Sequence, residues 1–265
     1  MLKRNLGIIV LLMTCVSMFA QENVNIYGVN YFKPKAGQRE AYLSGLKDHT
    51  KKHHTKGIMR VRTYSVVSGE KAGWIVRVSG PLTWADIDKF QEDTRSKAHM
   101  EHAAKYVQPY IEERIGTMYW RPVEDLHFNP STSEKPSKMT RVQFTHLNPG
   151  MSGEYFELRQ RYNEALEKTN SDASFGMGHL VHGGERHAIY ATFRGMDSWA
   201  DMNPTGPSLS SRFNEVHGNG AWGRFLKQVS KIVKKSHDEM RVYMEEYSTR
   251  SVSYTHLTLP TILLV

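Results

Sequence analysis

The sequence of 265 residues contains a single cysteine, Cys15, and few of the motifs by which enzymes are recognised. Because Cys15 lies within the first 20 residues, a chain that loses this segment has no disulfide, and a hydrophobic core must stabilise the fold. A glycine-rich phosphate loop, a Gly-x-Ser-x-Gly nucleophile elbow and a paired-carboxylate signature are all absent. No complete catalytic set can therefore be recognised from short motifs.

Long apolar runs are also missing, except at the N-terminus. Two basic residues precede an apolar stretch at residues 6–19, and Ala20 provides a small residue for cleavage. This pattern predicts a signal peptide over residues 1–20 and a secreted or periplasmic protein of a bacterial envelope, without a transmembrane anchor. The alternative is a lipoprotein attached through Cys15.

Charge of one sign is not concentrated in any stretch. The sequence has 35 lysine and arginine residues against 27 aspartate and glutamate residues, a net charge of +8 at pH 7. Removal of Lys3 and Arg4 with the signal peptide would lower this surplus to +6. The surplus suits an anionic ligand or an envelope surface. Because the basic residues are scattered and no binding motif is present, we expect no nucleic-acid partner.

Residues 251–265 differ sharply in composition from the charged stretch before them. They begin Ser-Val-Ser-Tyr-Thr-His-Leu-Thr-Leu-Pro-Thr, which resembles the translated read-through of a transposon-based sequencing adapter. We therefore expect residues 251–265 to be a non-native tail that replaces the natural C-terminus after about Arg250. They take no part in the interpretation of the fold.

One octapeptide occurs twice in the chain. Residues 80–87 (Gly-Pro-Leu-Thr-Trp-Ala-Asp-Ile) return as residues 195–202 (Gly-Met-Asp-Ser-Trp-Ala-Asp-Met), displaced by 115 positions. The same offset pairs residues 66–71 with residues 181–186. A repeat of this length is the size of a small domain, so the pattern predicts a duplicated module.

Alternating and helical hydrophobic patterns predict the order β-α-β-β-α-β in each module, which is a ferredoxin-like unit. We place the modules at 24–122 and 140–248, joined by a linker at 123–139 that is rich in proline and serine. The last strand is expected at 239–247, and ten additional residues follow the second octapeptide.

Each octapeptide is interpreted as the junction between a third strand and a second helix. Thr83 and Ser198 are expected to cap these helices, and the tryptophans that follow, Trp84 and Trp199, are expected to pack in the core.

The element order, the Pro-x-x-Gly opening at 34–37 and the Gly-x-x-[Ser/Thr]-Trp junction resemble the dimeric α/β-barrel superfamily. This superfamily includes antibiotic-biosynthesis-type monooxygenases, NIPSNAP-like proteins and haem-degrading monooxygenases. The resemblance implies an α+β fold in which two tandem ferredoxin-like modules form a pseudo-dimeric α/β barrel. It also implies that ligands bind within the barrel or between its sheet and the helices.

Strand alternation supplies candidate ligand-binding residues. Polar side chains share strand faces that we expect to look into one cavity, where guanidinium groups would hold a carboxylate or a similar anion. The alternative is that the arginines pair with acids at a seam between the modules. The candidates are Asn30, Arg60, Arg62, Tyr64, Arg77, His179 and Tyr190.

The resemblance also implies haem as a candidate cofactor. Haem-degrading monooxygenases of this fold carry an axial histidine in the second helix, and His217 follows a similar run of residues, with His99 in the corresponding place of the first module. Asn30 fits the asparagine of that family's first strand, whereas Phe90 or nearby polar residues occupy the tryptophan position. The alternative is that both histidines are ordinary surface residues.

No metal site is predicted from the sequence. His182 and His187 flank a turn and form at best an adventitious site, because His179 on the same strand points to the other face. His49 and His53 are one helical turn apart beside several lysines, which favours a solvated helix face.

Three classes of function remain open at this stage. A binding protein for a small organic anion agrees best with the polar strand positions. A haem-dependent or cofactor-independent monooxygenase is the alternative, and a structural protein with a filled barrel is the third. Enzymatic activity is therefore undecided, and a homo-oligomer is an expectation.

Overall fold

The computed structural model describes residues 25–133, 135–185 and 188–250. The predicted signal peptide, the tail at 251–265 and His187 lie outside these ranges. The strands are β1 (Ile26–Pro34), β2 (Val61–Ser68), β3 (Ile75–Leu82), β4 (Ile111–Pro122), β5 (Met139–Leu147), β6 (Gly176–His182), β7 (Ile189–Met196) and β8 (Val233–Tyr243). The helices are α1 (Arg39–His53), α2 (Trp84–Thr94), α3 (Lys97–Tyr106), α4 (Ser152–Lys168), α5 (Leu209–His217) and α6 (Ala221–Ile232).

The eight strands close into an antiparallel barrel in the order β1-β3-β2-β8-β5-β7-β6-β4. The first four strands are contiguous as β4-β1-β3-β2, and the last four as β8-β5-β7-β6. The barrel closes where β2 pairs with β8 and where β4 pairs with β6. The predicted α+β barrel is confirmed, and its origin by duplication stays a prediction.

Side chains on each strand alternate between the barrel interior and an outer face covered by helices. On β3, Val76 belongs to the interior cluster, whereas its neighbour Ile75 packs against Tyr42 and Leu46 of α1. The interior cluster consists of Val29, Tyr31, Val66, Val76, Trp120, Val142, Phe144, Ile189 and Ala191. Helices α1–α3 therefore cover the first half of the barrel wall. A separate apolar cluster with residues from α4, α5 and α6 covers the second half.

The second helix of each half differs from the expectation. It is divided into α2 and α3 in the first half, and a short 3₁₀ segment, Trp199–Met202, precedes α5 and α6 in the second. Thr83 caps α2 as predicted, because its side chain and that of Asp86 exchange hydrogen bonds with each other's backbone N–H groups. Strand β8 begins at Val233 and not at the predicted residue 239. The earlier start allows β8 to pair with the full length of β5.

The prediction that both repeated tryptophans are core residues is wrong. Trp84 is 48% exposed and Trp199 is 55% exposed. Each occupies the first position after its cap, and Ile87, one turn further along α2, is the residue that is buried. The repeated octapeptide therefore marks a strand-to-helix junction. Among the described residues, no helix has the length and apolar composition needed to cross a membrane.

A charged triad lies inside the barrel. Tyr31 of β1 donates a hydrogen bond to Glu239 Oε1 at 2.8 Å, and Arg241 Nε donates to the same oxygen at 2.6 Å. Arg241 Nη2 also donates to the Tyr31 oxygen at 2.6 Å. Burial raises the pKa of Tyr31, so its hydroxyl remains a donor. The triad links the first strand to the last across the interior.

We expect Glu239→Gln to lower the free energy of unfolding by about 3–5 kcal/mol, because the change leaves the buried guanidinium of Arg241 without its counter-charge. Urea denaturation followed by tryptophan fluorescence measures this loss. Asp238→Asn is the matched control, because the neighbouring carboxylate pairs with Arg141 at the surface. An exposed pair contributes about 0–1 kcal/mol. Equal losses in the two variants would contradict the structural role of the triad.

Candidate ligand-binding site

A cavity of about 410 Å³ lies between the outer face of the first half of the sheet and helices α1–α3. Its volume falls within the range of about 300–1,000 Å³ that is typical of small-molecule sites. The helices contribute an apolar wall that includes Leu46, Ile87, Phe90 and Met100. The strands contribute polar groups on the opposite side. The site therefore combines an apolar enclosure with a few polar anchors.

The charge of the cavity lining is entirely of one sign. Its described lining residues include three arginines and three histidines but neither aspartate nor glutamate. Such a lining favours an anionic ligand, because no acidic group competes for the basic ones. These six residues are Arg77, Arg95, Arg114, His49, His54 and His99.

Arg77 of β3 supplies the cation of this site, and its guanidinium group is buried although the residue is partly exposed. One of its terminal nitrogens, Nη2, donates to Thr50 Oγ1 at 3.0 Å, whereas its buried Nε has no hydrogen-bond partner. No described carboxylate forms a salt bridge with Arg77. Burial lowers the pKa of its guanidinium to about 10. The guanidinium of Arg77 therefore has a positive charge without a counter-charge and an Nε–H group without an acceptor, and both are available to a ligand.

Two further polar groups line the cavity beside Arg77. The Tyr42 hydroxyl is buried without a hydrogen-bond partner, and burial raises the pKa of this phenol, so it is a donor. Asn30 Oδ1 accepts a hydrogen bond from Thr117 Oγ1 at 2.8 Å, which leaves the amide N–H groups of Asn30 without a described acceptor. Three donors without complete partners thus line one cavity.

Five histidines, His49, His53, His54, His99 and His102, meet where α1 packs against α3; we call them the five-histidine cluster. The two helices approach closely because α1 has Gly45 at the crossing. A Cβ atom at Gly45 would lie 1.7 Å from the backbone oxygen of Tyr106. The absence of a side chain at one position therefore brings two histidine-bearing helices together.

The cluster contains two close contacts between ring nitrogens. His99 Nε2 lies 3.3 Å from His54 Nε2, and His49 Nδ1 lies 3.1 Å from His102 Nδ1. Burial lowers the pKa of His49 to about 3, of His54 to about 2 and of His99 to about 4, and neighbouring positive groups act in the same direction. These rings are therefore neutral at physiological pH.

The structure divides the predicted ligand-binding residues between two sides of the sheet. Asn30 and Arg77 line the cavity under the helices, and His99 joins them there. Arg62 and Tyr64 line a separate cavity of about 290 Å³ within the barrel. Side chains on a strand point alternately to its two faces, and Val61 lies on the outer face with Arg77. Residues 60, 62 and 64 point to the opposite face, so the barrel wall separates them from Arg77. The single cavity expected from the sequence is absent among the described residues.

The remaining candidates lie away from this cavity. Arg60 is exposed, just before β2. In the second half, the His179 ring stacks on Tyr190 with their centroids 4.8 Å apart, and Tyr190 is part of a packed apolar cluster. His217 Nε2 lies 3.0 Å from the backbone oxygen of Arg161. The outer face of the second half is filled by aromatic side chains, so it offers less room for a ligand.

Sequence reasoning missed Tyr42, Thr50, His49 and His54. The expectation that His49 belongs to a solvated helix face is wrong, because it is 3% exposed. The neighbouring lysines are exposed, but the packing of α3 onto α1 covers the histidine side of the helix. A glycine within the apolar pattern of α1 is the signal that could have revealed this contact.

The placement of both haem-ligand candidates does not suit a porphyrin iron. The Nε2 atom of His99 faces another imidazole at 3.3 Å, so the axial position is filled by His54. The Nε2 atom of His217 is hydrogen-bonded to a backbone oxygen, and its ring packs against Phe213. A protein group lies within 3.3 Å of Nε2 of each histidine and leaves no space there for a porphyrin, so the residues present do not fit an axial haem ligand.

Comparison with known proteins identifies the fold. The sequence matches no protein-family model and no curated protein. Among solved structures, a candidate monooxygenase from Fusobacterium nucleatum aligns with a TM-score of 0.53 at 11% identity, over 84% of this chain and 93% of that chain. At this identity, the likeness shows a shared fold and does not specify an activity.

Two further structures align at lower scores. An anthrone oxidase-like protein has a TM-score of 0.49 at 11% identity, over 84% of this chain and 92% of that chain. A mutant chlorite dismutase from Candidatus Nitrospira defluvii has a TM-score of 0.49 at 8% identity, over 84% of this chain and 93% of that chain.

We expect Tyr42→Phe to leave the free energy of unfolding unchanged or to raise it by about 1 kcal/mol, because the change removes a buried hydroxyl that has no partner. Tyr31→Phe is the control, because the Tyr31 hydroxyl is also buried but donates a hydrogen bond to Glu239 Oε1 at 2.8 Å. That variant should lose about 1.5–3 kcal/mol, the contribution of a hydrogen bond to a charged group. Urea denaturation of both variants measures these changes. A larger loss of unfolding free energy in Tyr42→Phe than in the control would show that the Tyr42 hydroxyl has a structural partner.

Proposed function

We propose that this protein binds a small organic anion in the cavity between the sheet and helices α1–α3. One observation carries the proposal: the guanidinium of Arg77, whose Nε is buried and has no hydrogen-bond partner, lines this cavity without a carboxylate partner. Buried charges in folded proteins are normally paired, because removing a charge from water costs several kcal/mol. A ligand carboxylate would supply the missing counter-charge.

The lining supports a defined mode of binding. A planar guanidinium can hold a carboxylate through two parallel hydrogen bonds, and the unpartnered Nε of Arg77 provides one of them. The Tyr42 hydroxyl and the Asn30 amide lie in the same cavity as further donors. Leu46, Phe90 and other apolar side chains would then cover the carbon skeleton of the ligand. A compact carboxylic acid with an aromatic or branched body suits these features.

The barrel interior supports the proposal indirectly. Large side chains and the triad of Tyr31, Glu239 and Arg241 fill much of the interior, as a structural barrel would require. The smaller interior cavity is lined by Arg62 and Arg241, and Arg241 already has a carboxylate partner. The ligand site is therefore proposed beside the barrel and not within it.

Export and duplication are further parts of the proposal. The basic N-terminus followed by the apolar stretch at 6–19 supports a secreted or periplasmic location. The repeated octapeptides support an origin by tandem duplication of a ferredoxin-like module. Both inferences rest on the sequence. A homo-oligomer stays an expectation.

We expect Arg77→Gln to weaken the binding of a carboxylate about 10- to 100-fold, because a hydrogen bond to a charged group contributes about 1.5–3 kcal/mol. Isothermal titration with benzoate and its hydroxylated derivatives measures this affinity. Arg60→Gln is the matched control, because Arg60 is exposed outside the cavity. Undiminished benzoate affinity in Arg77→Gln, or an equal loss in Arg60→Gln, would refute the assignment of the site.

The haem-dependent monooxygenase is the alternative, and it makes a different prediction. Because a neighbouring protein group lies within 3.3 Å of Nε2 of each candidate histidine, where a porphyrin would have to lie, we expect hemin to give no Soret shift that depends on His99 or His217. Titration of wild type, His99→Ala and His217→Ala with hemin tests this, with His179→Ala as the control. A Soret shift that is present in wild type and lost in one of the two variants would favour the alternative.

A further inference from the structure

The proposed anion site does not account for the five-histidine cluster. Its members form two groups of three, and within each group one nitrogen from each ring lies within 4.8 Å of the others. The inner group is His49, His54 and His99, and the outer group is His49, His53 and His102. Packing of α1 against α3 through apolar side chains would not require five imidazole rings at the contact.

We propose that His49, His54 and His99 form a three-histidine site for one divalent first-row transition-metal ion of the zinc class. The three rings are 3%, 4% and 9% exposed, and all three line the cavity. Imidazole nitrogens suit zinc, copper and nickel, and three protein ligands leave one position of a tetrahedral ion open. The open position would face the cavity.

The distances between ring nitrogens agree with coordination. A zinc–nitrogen bond is about 2.0–2.1 Å long, so two ligands of a tetrahedral ion lie about 3.3 Å apart. His99 Nε2 and His54 Nε2 are 3.3 Å apart. A single ion can thus bind both nitrogens with only small shifts of the rings.

The other ring nitrogen of His54 fixes its tautomer. His54 Nδ1 lies 2.9 Å from the backbone oxygen of Met59, so it donates its proton there, and Nε2 is left with a lone pair. Metal-binding histidines are commonly oriented by such hydrogen bonds to carbonyl oxygens. The lone pair of His54 faces another neutral imidazole, and a cation would satisfy both.

The outer group provides an accessory face to this site. His53 Nε2 is buried without a hydrogen-bond partner, and His102 Nδ1 contacts His49 Nδ1. Both outer rings are more exposed than the inner ones. Lys52 and Lys105 lie nearby and their charge opposes a cation at this face, although the carboxylate of Asp48 acts in the other direction. We therefore assign the ion to the inner group and a supporting role to His53 and His102.

Arg77 adds a condition to metal binding. Its charge acts on His49, His54 and His99, so a dication there would bind less tightly than it does when an anion is also bound. A hydroxide ion or a carboxylate at the open position would meet this condition, because it would lie near both positive groups. Metal affinity should therefore rise with pH or with added carboxylate.

Titration of the metal-free chain, prepared without a polyhistidine tag, with Zn²⁺ tests the proposal. We expect one Zn²⁺ per chain in wild type, and a loss of at least about 100-fold in affinity for His54→Gln and His99→Gln, since changing even a residue that only orients a metal ligand costs about 10- to 100-fold. His53→Gln and His102→Gln should lose about 10-fold or less, and His237→Gln on β8 should retain the wild-type affinity. Affinity lost only in the outer variants would overturn the assignment to the inner group.

A second measurement covers the case in which a variant fails to fold. Wild-type protein loaded with Co²⁺ should show the intense visible absorption of a four- or five-coordinate ion with nitrogen ligands. A weak spectrum typical of the hexaaqua ion, or no binding of Zn²⁺, would overturn the proposal. Zn²⁺ is titrated without carboxylate, and benzoate is titrated into metal-free protein. Failure of the metal site is thereby distinguished from failure of the anion site.

Discussion

Closure of the barrel is the constraint on which the rest of this structure depends. Pairing of β2 with β8 and of β4 with β6 leaves no free edge, and each strand must divide its side chains between an interior and an outer face. The interior is packed around Tyr31 and its charged partners. The cavity that combines an apolar wall with unpartnered polar groups therefore lies on an outer face, under helices α1–α3.

The two outer faces are filled differently. Over the second half, Tyr155, Tyr190, Phe213 and Phe225 form one continuous apolar cluster. Over the first half, the corresponding space contains Arg77, three histidines and an open volume. Because protein interiors are normally close-packed, a cavity of this size lined by polar groups lowers stability unless a ligand fills it. The asymmetry between the faces is the main structural argument for a site in the first half.

The sequence predicted the helix cap at Thr83 and the position of Asn30 and Arg77 on strands, because these features follow from local periodicity and capping patterns. The barrel was implied by the resemblance to the dimeric α/β-barrel superfamily. The sequence did not reveal that Arg62 and Arg77 lie on opposite faces of the sheet, and it did not reveal that His49 is buried. Both depend on which face each helix covers, and the decisive residue, Gly45, acts through a contact with Tyr106 that lies far along the chain.

The unpartnered groups of the cavity are complementary to one another. A cation at the histidines and the guanidinium of Arg77 would repel each other, and an anion between them would be attracted to both. By thermodynamic linkage, an ion that raises the affinity for a carboxylate must itself bind more tightly when the carboxylate is present, by the same factor. The proposed metal and anion sites are therefore separable by titration but coupled in energy. The buried Tyr42 hydroxyl, which is left without a partner, lies beside both.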